Sequence, residues 1–287
     1  MRDSRPNIVF LIADDHRHDA VHALGDAQVR TPNLDKLADS GTALTNTYIM
    51  GSTVGAVCMP SRGMMLTGRT LWRIDEPDLG DWPLWPQMLR EAGYHTYGVG
   101  KWHNERKSFA KCFADGAEIF FGGMSDHYTV PVHDYDPKGH FPEDDIRVGQ
   151  GFSTDIFAGV ATEFLRQYPG RDPFCLYVAF TAPHDPRTPP DEFAYSPDEL
   201  QLPDNFLPRH PFDNGELDVR DEMLASCPRT RGAIRQHLAD YYGMVSHLDS
   251  AIGTILKALE ETGFSENTLV IYTADHGLAL GQHGLLG

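Results

Sequence analysis

Apolar positions along the chain fall into two patterns. NIVFLIA (Asn7 to Ala13) is a continuous apolar run bounded by Pro6 and by Asp14 and Asp15, and it reads as a strand buried on both faces. HTYGVGKWH, ending at Lys101 and His103, FCLYVAF (Phe174 to Phe180) and TLVIYTA (Thr268 to Ala274) read as further strands. Between them the period lengthens. Ile234, Leu238, Tyr241, Val245, Leu248, Ile252, Ile255 and Leu259 step by three or four, which predicts a long amphipathic helix over Ile234 to Gly263. TPNLDKLADSG (Thr31 to Gly41) has a cap residue, proline at the first helical position and glycine past the end. WPLWPQMLREAGY and STDIFAGVATEFLRQY are two more helices, each leading into a strand. Strands alternating with helices predict an α/β fold with a mostly parallel central sheet and helices on both faces. Two segments lack periodicity, 104–149 and 181–233, and loops of that length predict covers over a site. The root of the second, at His184, is expected to be fixed and its tip mobile. No internal repeat or low-complexity tract interrupts the chain.

A length of 287 residues, 41% hydrophobic and 23% charged, suits one large domain or two ordinary ones. The formal charge of −17 argues against nucleic acid as a partner, because phosphate backbones are bound by clustered lysine and arginine. The apolar run near the start is too short for a membrane span or a signal-peptide core. The expectations are therefore no membrane and a cytoplasmic location as written, or a periplasmic or secreted one if a leader was removed. Cys58, Cys112, Cys175 and Cys227 form no CxxC pair, so neither a disulfide framework nor a structural zinc knot is expected. Cys175 lies in an apolar run and reads as core. Cys58 differs: it opens CMPSRGMMLTGR after a Gly/Ser/Thr-rich loop, and Pro60 suits a helix's first turn, which places the thiol at a helix N-terminus that favours anions.

In an open parallel sheet, ligands bind beyond the carboxyl ends of the strands. The strands deliver Asp14 and Asp15, Lys101 with His103, His184, and Asp275 with His276 to that edge. One aspartate at a strand end would ordinarily be a helix cap. Two distant strand ends repeating Ala-Asp-(Asp/His) point instead to a shared divalent cation, since adjacent carboxylates repel unless a positive charge lies between them. Three carboxylates and one imidazole suit Ca²⁺, Mn²⁺ or Mg²⁺ better than thiolate-bound zinc. His127, Tyr128, His133, Tyr135 and His140 either line a sugar pocket or simply pack over the sheet edge.

These residues resemble the type I sulfatases of the alkaline phosphatase superfamily. PNIVFLIADD, TPNLDKLADSGT, CMPSRGMMLTGR, GYHTYGVGKWH, TAPHDP and LVIYTADHGLALGQHG follow in that family's order over nearly the whole chain. The resemblance implies that a formylglycine-generating enzyme converts Cys58 to formylglycine, whose hydrate is the nucleophile. It also implies that Arg62 steadies that hydrate, and that Asp14, Asp15, Asp275, His276 and modified Cys58 hold one divalent cation, by family habit Ca²⁺. Lys101 and His103 would bind sulfate and take a proton, and His184 would contact the ester oxygen. The implied substrate is a sulfate ester of a carbohydrate or an aryl alcohol. A further lysine after the final glycine and a smaller C-terminal subdomain, both family features, lie beyond this sequence. The expectation is thus the N-terminal part of a sulfatase catalytic domain, weakly active or inactive alone. The Asp-His pair, in place of the commoner Asp-Asn, also resembles relatives that cleave phosphonate monoesters and phosphodiesters. A non-catalytic anion-binding role, with Cys58 remaining a thiol, is a third reading.

Overall fold

The computed structural model describes residues 5–53, 57–74, 79, 81–212, 215 and 218–287. Its frame is a five-stranded sheet in the order β3-β2-β6-β1-β7. These strands are β1 (Asn7–Ala13), β2 (His95–Lys101), β3 (Asp115–Phe120), β6 (Phe174–Ala179) and β7 (Thr268–Ala274), and every pairing is parallel. A two-stranded antiparallel ribbon, β4 (Pro131–Val132) with β5 (Arg147–Val148), completes the strands.

Alternation along β1 divides the core. Val9, Leu11 and Ala13 face α1 (Pro32–Ser40), α5 (Ser153–Gln167) and α6 (Arg231–Glu261) in one apolar cluster. Phe10 and Ile12 join the opposite cluster with residues of α2 (Cys58–Thr67) and α4 (Arg106–Cys112), against which Trp85 of α3 (Trp85–Glu91) packs. Both faces of the inner strands are therefore dry, as a parallel sheet requires. β7 is an edge strand and half-buried, with Leu269 exposed. Among the described residues, no helix is long and apolar enough to cross a membrane.

The segment 104–149 is not the loop that its pattern predicts. It holds α4 and the edge strand β3, and it buries Phe109, Phe113, Ile119 and Phe120. The period is hard to see because α4 spans only seven residues and β3 contributes few apolar side chains. The segment 181–233 is irregular, with short 3-10 turns, but its described part is not a free tip. Leu200 is buried in a third cluster with Ile234, Leu238, Tyr241, Tyr242, Leu278 and Leu280.

Gly100 shows how the frame aims a side chain. The β2–β3 register shifts between Val99 and Gly100, and Gly100 sits at φ +87°, where a Cβ would stand 2.0 Å from the Ala179 carbonyl oxygen. A bulge re-aims the next residue. That residue is Lys101.

Candidate active site

Register brings the acids together. Ala13 of β1 pairs with Ala274 of β7, so the following residues, Asp14 and Asp275, leave adjacent strand ends side by side. The Asp15 amide donates to Asp275 Oδ1 at 3.0 Å. Asp15 itself lies at φ +68°, a left-handed conformation that aspartate tolerates better than most residues. Tyr241 holds this turn from α6, its hydroxyl donating to the Asp15 carbonyl and accepting from the Arg17 amide, both at 2.8 Å.

α2 presents Cys58 at its first residue, as the helix N-terminus expectation requires. Its Sγ lies 3.1 Å from His276 Nε2 and 3.7 Å from Asp15 Oδ1. One turn on, Arg62 is buried between carboxylates, with Nε donating to Asp275 Oδ2 at 2.9 Å and Nη2 to Asp14 Oδ1 at 3.4 Å. Ser61 adds a hydrogen bond to the Asp275 carbonyl. Lys101 Nζ reaches Asp14 Oδ2 at 2.5 Å and also donates to the Gly123 carbonyl. His276 Nε2 is 2.9 Å from Asp15 Oδ1, and His184 Nε2 is 3.8 Å from Asp15 Oδ2.

Charge at this cluster is not balanced by the two permanent cations. Asp14, Asp15 and Asp275 face Arg62 and Lys101. Burial pushes Asp14 up to about 7 in spite of Lys101, with Asp275 adding repulsion. Burial acts on Asp15 as well, but His184 and His276 hold it down to about 2. Donor atoms of Asp15, Cys58 and His276 lie within 4.8 Å of one another, as do those of Asp14, Cys58 and Asp275. Against burial, Asp15 in turn pushes His184 up to about 10 and His276 up to about 12, so the two imidazoles carry the remaining positive charge, and buried oxygen donors converging in this way fit a hard divalent cation.

His103 stands at the margin of this cluster. Burial together with Lys101 and Arg62 lowers it to about 3, which leaves the imidazole neutral, and its Nδ1 is buried without a hydrogen-bond partner. Gly123 packs on its ring, where a Cβ would come within 2.9 Å of Nε2. His103 also borders a cavity of about 350 Å³ lined by Trp102, Glu105, Arg106 and Phe121. The structure thus brings Asp14, Asp15, Cys58, Arg62, Lys101, His184, Asp275 and His276 into direct contact and places His103 beside them.

The aromatic and histidine residues of the first long segment do not form one pocket, and Tyr128 and His140 are exposed. His133 is buried, its backbone bridging to Ile119, and the Tyr135 hydroxyl donates to the Phe113 carbonyl. His127 is buried behind His184. Its Nε2 donates to the His184 carbonyl at 3.0 Å, so Nδ1 accepts from Ser153 Oγ at 2.8 Å, and Ser153 lies 2.8 Å from Thr181 Oγ1. Tyr241, Gly123 and His127 lie outside the motifs quoted above, and only the tertiary contacts give them a place at the site.

A family model described as Sulfatase matches residues 6–287. The chain is 26% identical to an N-acetylglucosamine-6-O-sulfatase of Bacteroides thetaiotaomicron, in an alignment covering 98% of this chain and 59% of that protein. In fold it is similar to a protein solved in complex with its substrate D-glucosamine-2-N,6-O-disulfate, with a TM-score of 0.78, 24% identity, and coverage of 99% of this chain and 68% of that one. It is also similar to the phosphonate monoester hydrolase of Agrobacterium radiobacter, with a TM-score of 0.68, 22% identity, and coverage of 99% and 65%. The chain therefore spans about three fifths of the length of the first of these relatives.

Proposed function

The chain belongs to the sulfatase family, and from that premise we propose that it carries the catalytic centre of a sulfuric ester hydrolase acting on a sulfated carbohydrate or aryl sulfate. The observation that supports this most directly is the seat of Cys58. A cysteine at a helix N-terminus lies within reach of Asp15 and His276, beside a buried set of three aspartates. A structural thiol would be packed among apolar atoms, as Cys112 and Cys175 are, with burial pushing each thiol up to about 12 or higher.

Asp14, Asp15, Asp275 and His276, with residue 58 in its modified form, would hold a divalent cation, Ca²⁺ with Mn²⁺ or Mg²⁺ as alternatives. When present, the formylglycine hydrate made from Cys58 by a modifying enzyme supplies an oxygen nucleophile toward sulfur, and the cation offsets the charge of the sulfate oxygens. The remaining work falls to side chains already in place. Lys101, fixed by Asp14 and the Gly123 carbonyl, and Arg62, fixed by Asp275, direct positive charge at the anion without reorganising. Each preorganised donor of this kind is worth roughly 3 kcal/mol at a transition state. His103, beside this cluster with Nδ1 unpartnered, would be the residue that takes a proton from the hydrate. His184 directs Nδ1 to the Asp185 carbonyl at 2.8 Å, which leaves Nε2 to hand a proton to the departing alcohol oxygen.

A second reading, a phosphonate monoester or phosphodiester hydrolase with the same nucleophile, is favoured by the Asp275-His276 pair. Two measurements on the protein carried through its full length decide among the readings. Intact mass should show a loss of about 18 Da confined to Cys58, the difference between a thiol and an aldehyde side chain. Turnover of an aryl sulfate should exceed that of a phosphonate monoester and vanish in Cys58→Ala. An unmodified thiol with no turnover of either ester would leave anion binding alone, and faster phosphonate cleavage would establish the second reading.

A further inference from the structure

We propose that the 3-10 turn Arg220–Leu224 is a brace that positions two parts of the active site at once, with Arg220 and Glu222 as its positioning residues. Arg220 forks onto Asp185, Nη1 to Oδ1 at 3.0 Å and Nη2 to Oδ2, and a further bond to Asp221 at 2.7 Å steadies it. Asp185 is the residue whose carbonyl accepts from His184 Nδ1. Two residues along the same turn, Glu222 is buried and grips another loop. Its carboxylate accepts from the Leu286 and Gly287 amides at 2.9 Å, and its charge is met by the equally buried Arg229.

The gripped loop, residues 279–287, continues directly from Asp275 and His276. It is closed on itself by Ala279 N to Gly287 O at 3.0 Å, Leu280 N to Leu286 O at 3.0 Å and Gly281 N to Leu285 O at 2.7 Å. The loop bearing His184 follows β6 and the gripped loop follows β7, the two strands that flank β1. One short turn therefore ties together the segments on either side of the strand that delivers Asp14 and Asp15. Arg220 is 43% exposed, and exposed ion pairs add little to stability. Its bidentate fork instead restricts where Asp185, and through it His184, can sit.

The kinetic part of this inference rests on the proposed role of His184 at the ester oxygen; the structural part does not. Both are tested with full-length protein carrying its divalent cation. In Arg220→Ala, amide exchange should quicken in 180–188 and also in 279–287, with the unfolding midpoint little changed. Faster exchange confined to 180–188 would overturn the brace. In kinetics, kcat on an alkyl sulfate, a poor leaving group, should fall about tenfold or more, while kcat on a nitrophenyl sulfate changes far less and KM stays within about twofold. Arg220→Lys, which keeps the charge without the fork, should recover part of the loss. Equal losses on both esters would show a merely structural role. If the unaltered protein turned over no sulfate ester, the proposed function would fail, and the exchange experiment would still decide the brace.

Discussion

Asp15 and His127 show what individual residues give up to build this centre. Asp15 accepts a left-handed backbone, a conformation that costs about a kcal/mol or more, and Tyr241 and Asp275 hold it there. His127 gives up its ability to be charged. Burial lowers it to about 4, more than the bond to the His184 carbonyl raises it. The unfolded chain binds a proton at His127 near pH 6.5 and the folded chain only near 4. The stability that neutral His127 contributes is thus complete above 6.5 and is lost as pH falls from 6.5 to 4. Two and a half units correspond to roughly 3 kcal/mol. Urea unfolding of the native protein and His127→Gln across pH 4–7 should show this difference narrowing toward acid, and a pH-independent difference would refute the assignment. Residues whose position follows from their own strand end, such as Asp14, Lys101 and Asp275, could be placed at the sheet edge from pattern alone. His127 and Tyr241 could not, because their partners lie 57 and 226 residues away and a periodic tyrosine in a helix reads only as core.

Among the elements, β2 is the most demanding. Gly98 leaves room for Phe109 and Phe113, whose ring atoms would lie 2.6 and 2.7 Å from a Cβ, and Gly100 turns the bulge ahead of Lys101. Gly100→Ala should cost on the order of 3 kcal/mol or more, through both the positive φ and the contact with the Ala179 carbonyl, and should misdirect Lys101. Gly159 is the matched control. It lies inside α5, where nothing stands within 4 Å of a Cβ, so Gly159→Ala should stabilise by about 0.5–1 kcal/mol in the same thermal melts. β1 and β6, with both faces dry, and α6, with its long period, were legible in the sequence, as was β7 from its continuous apolar run. α4 and β3 were not, since seven and six residues hold too few apolar positions to establish a period against their polar neighbours.

Across the whole molecule, stability and cation binding should be linked. A ligand that binds only the folded chain adds RT ln(1 + [L]/Kd), about 3 kcal/mol at a hundredfold excess over Kd. Chelation should therefore lower the melting temperature, and readdition of Ca²⁺ should restore it in the native protein but not in Asp275→Asn. A melting temperature indifferent to chelator would remove the cation from this site.

The β1–β7 register carries a consequence for the order of assembly. The Asp15 amide and the Asp275 carboxylate that receives it are 260 residues apart, and no shorter-range contact substitutes for that pairing at β1's outer edge. Synthesis delivers the β1 acids long before β7, so for most of that interval Asp14 and Asp15 lack Asp275 and His276 as partners. Contacts of such high sequence separation form late and slowly. Asp14 can meet Arg62 and Lys101, and Asp15 can meet Cys58 and His184, before that, but Asp275 and His276 join them only when the edge strand docks, so a cation held by all four ligands would report that the sheet has closed correctly.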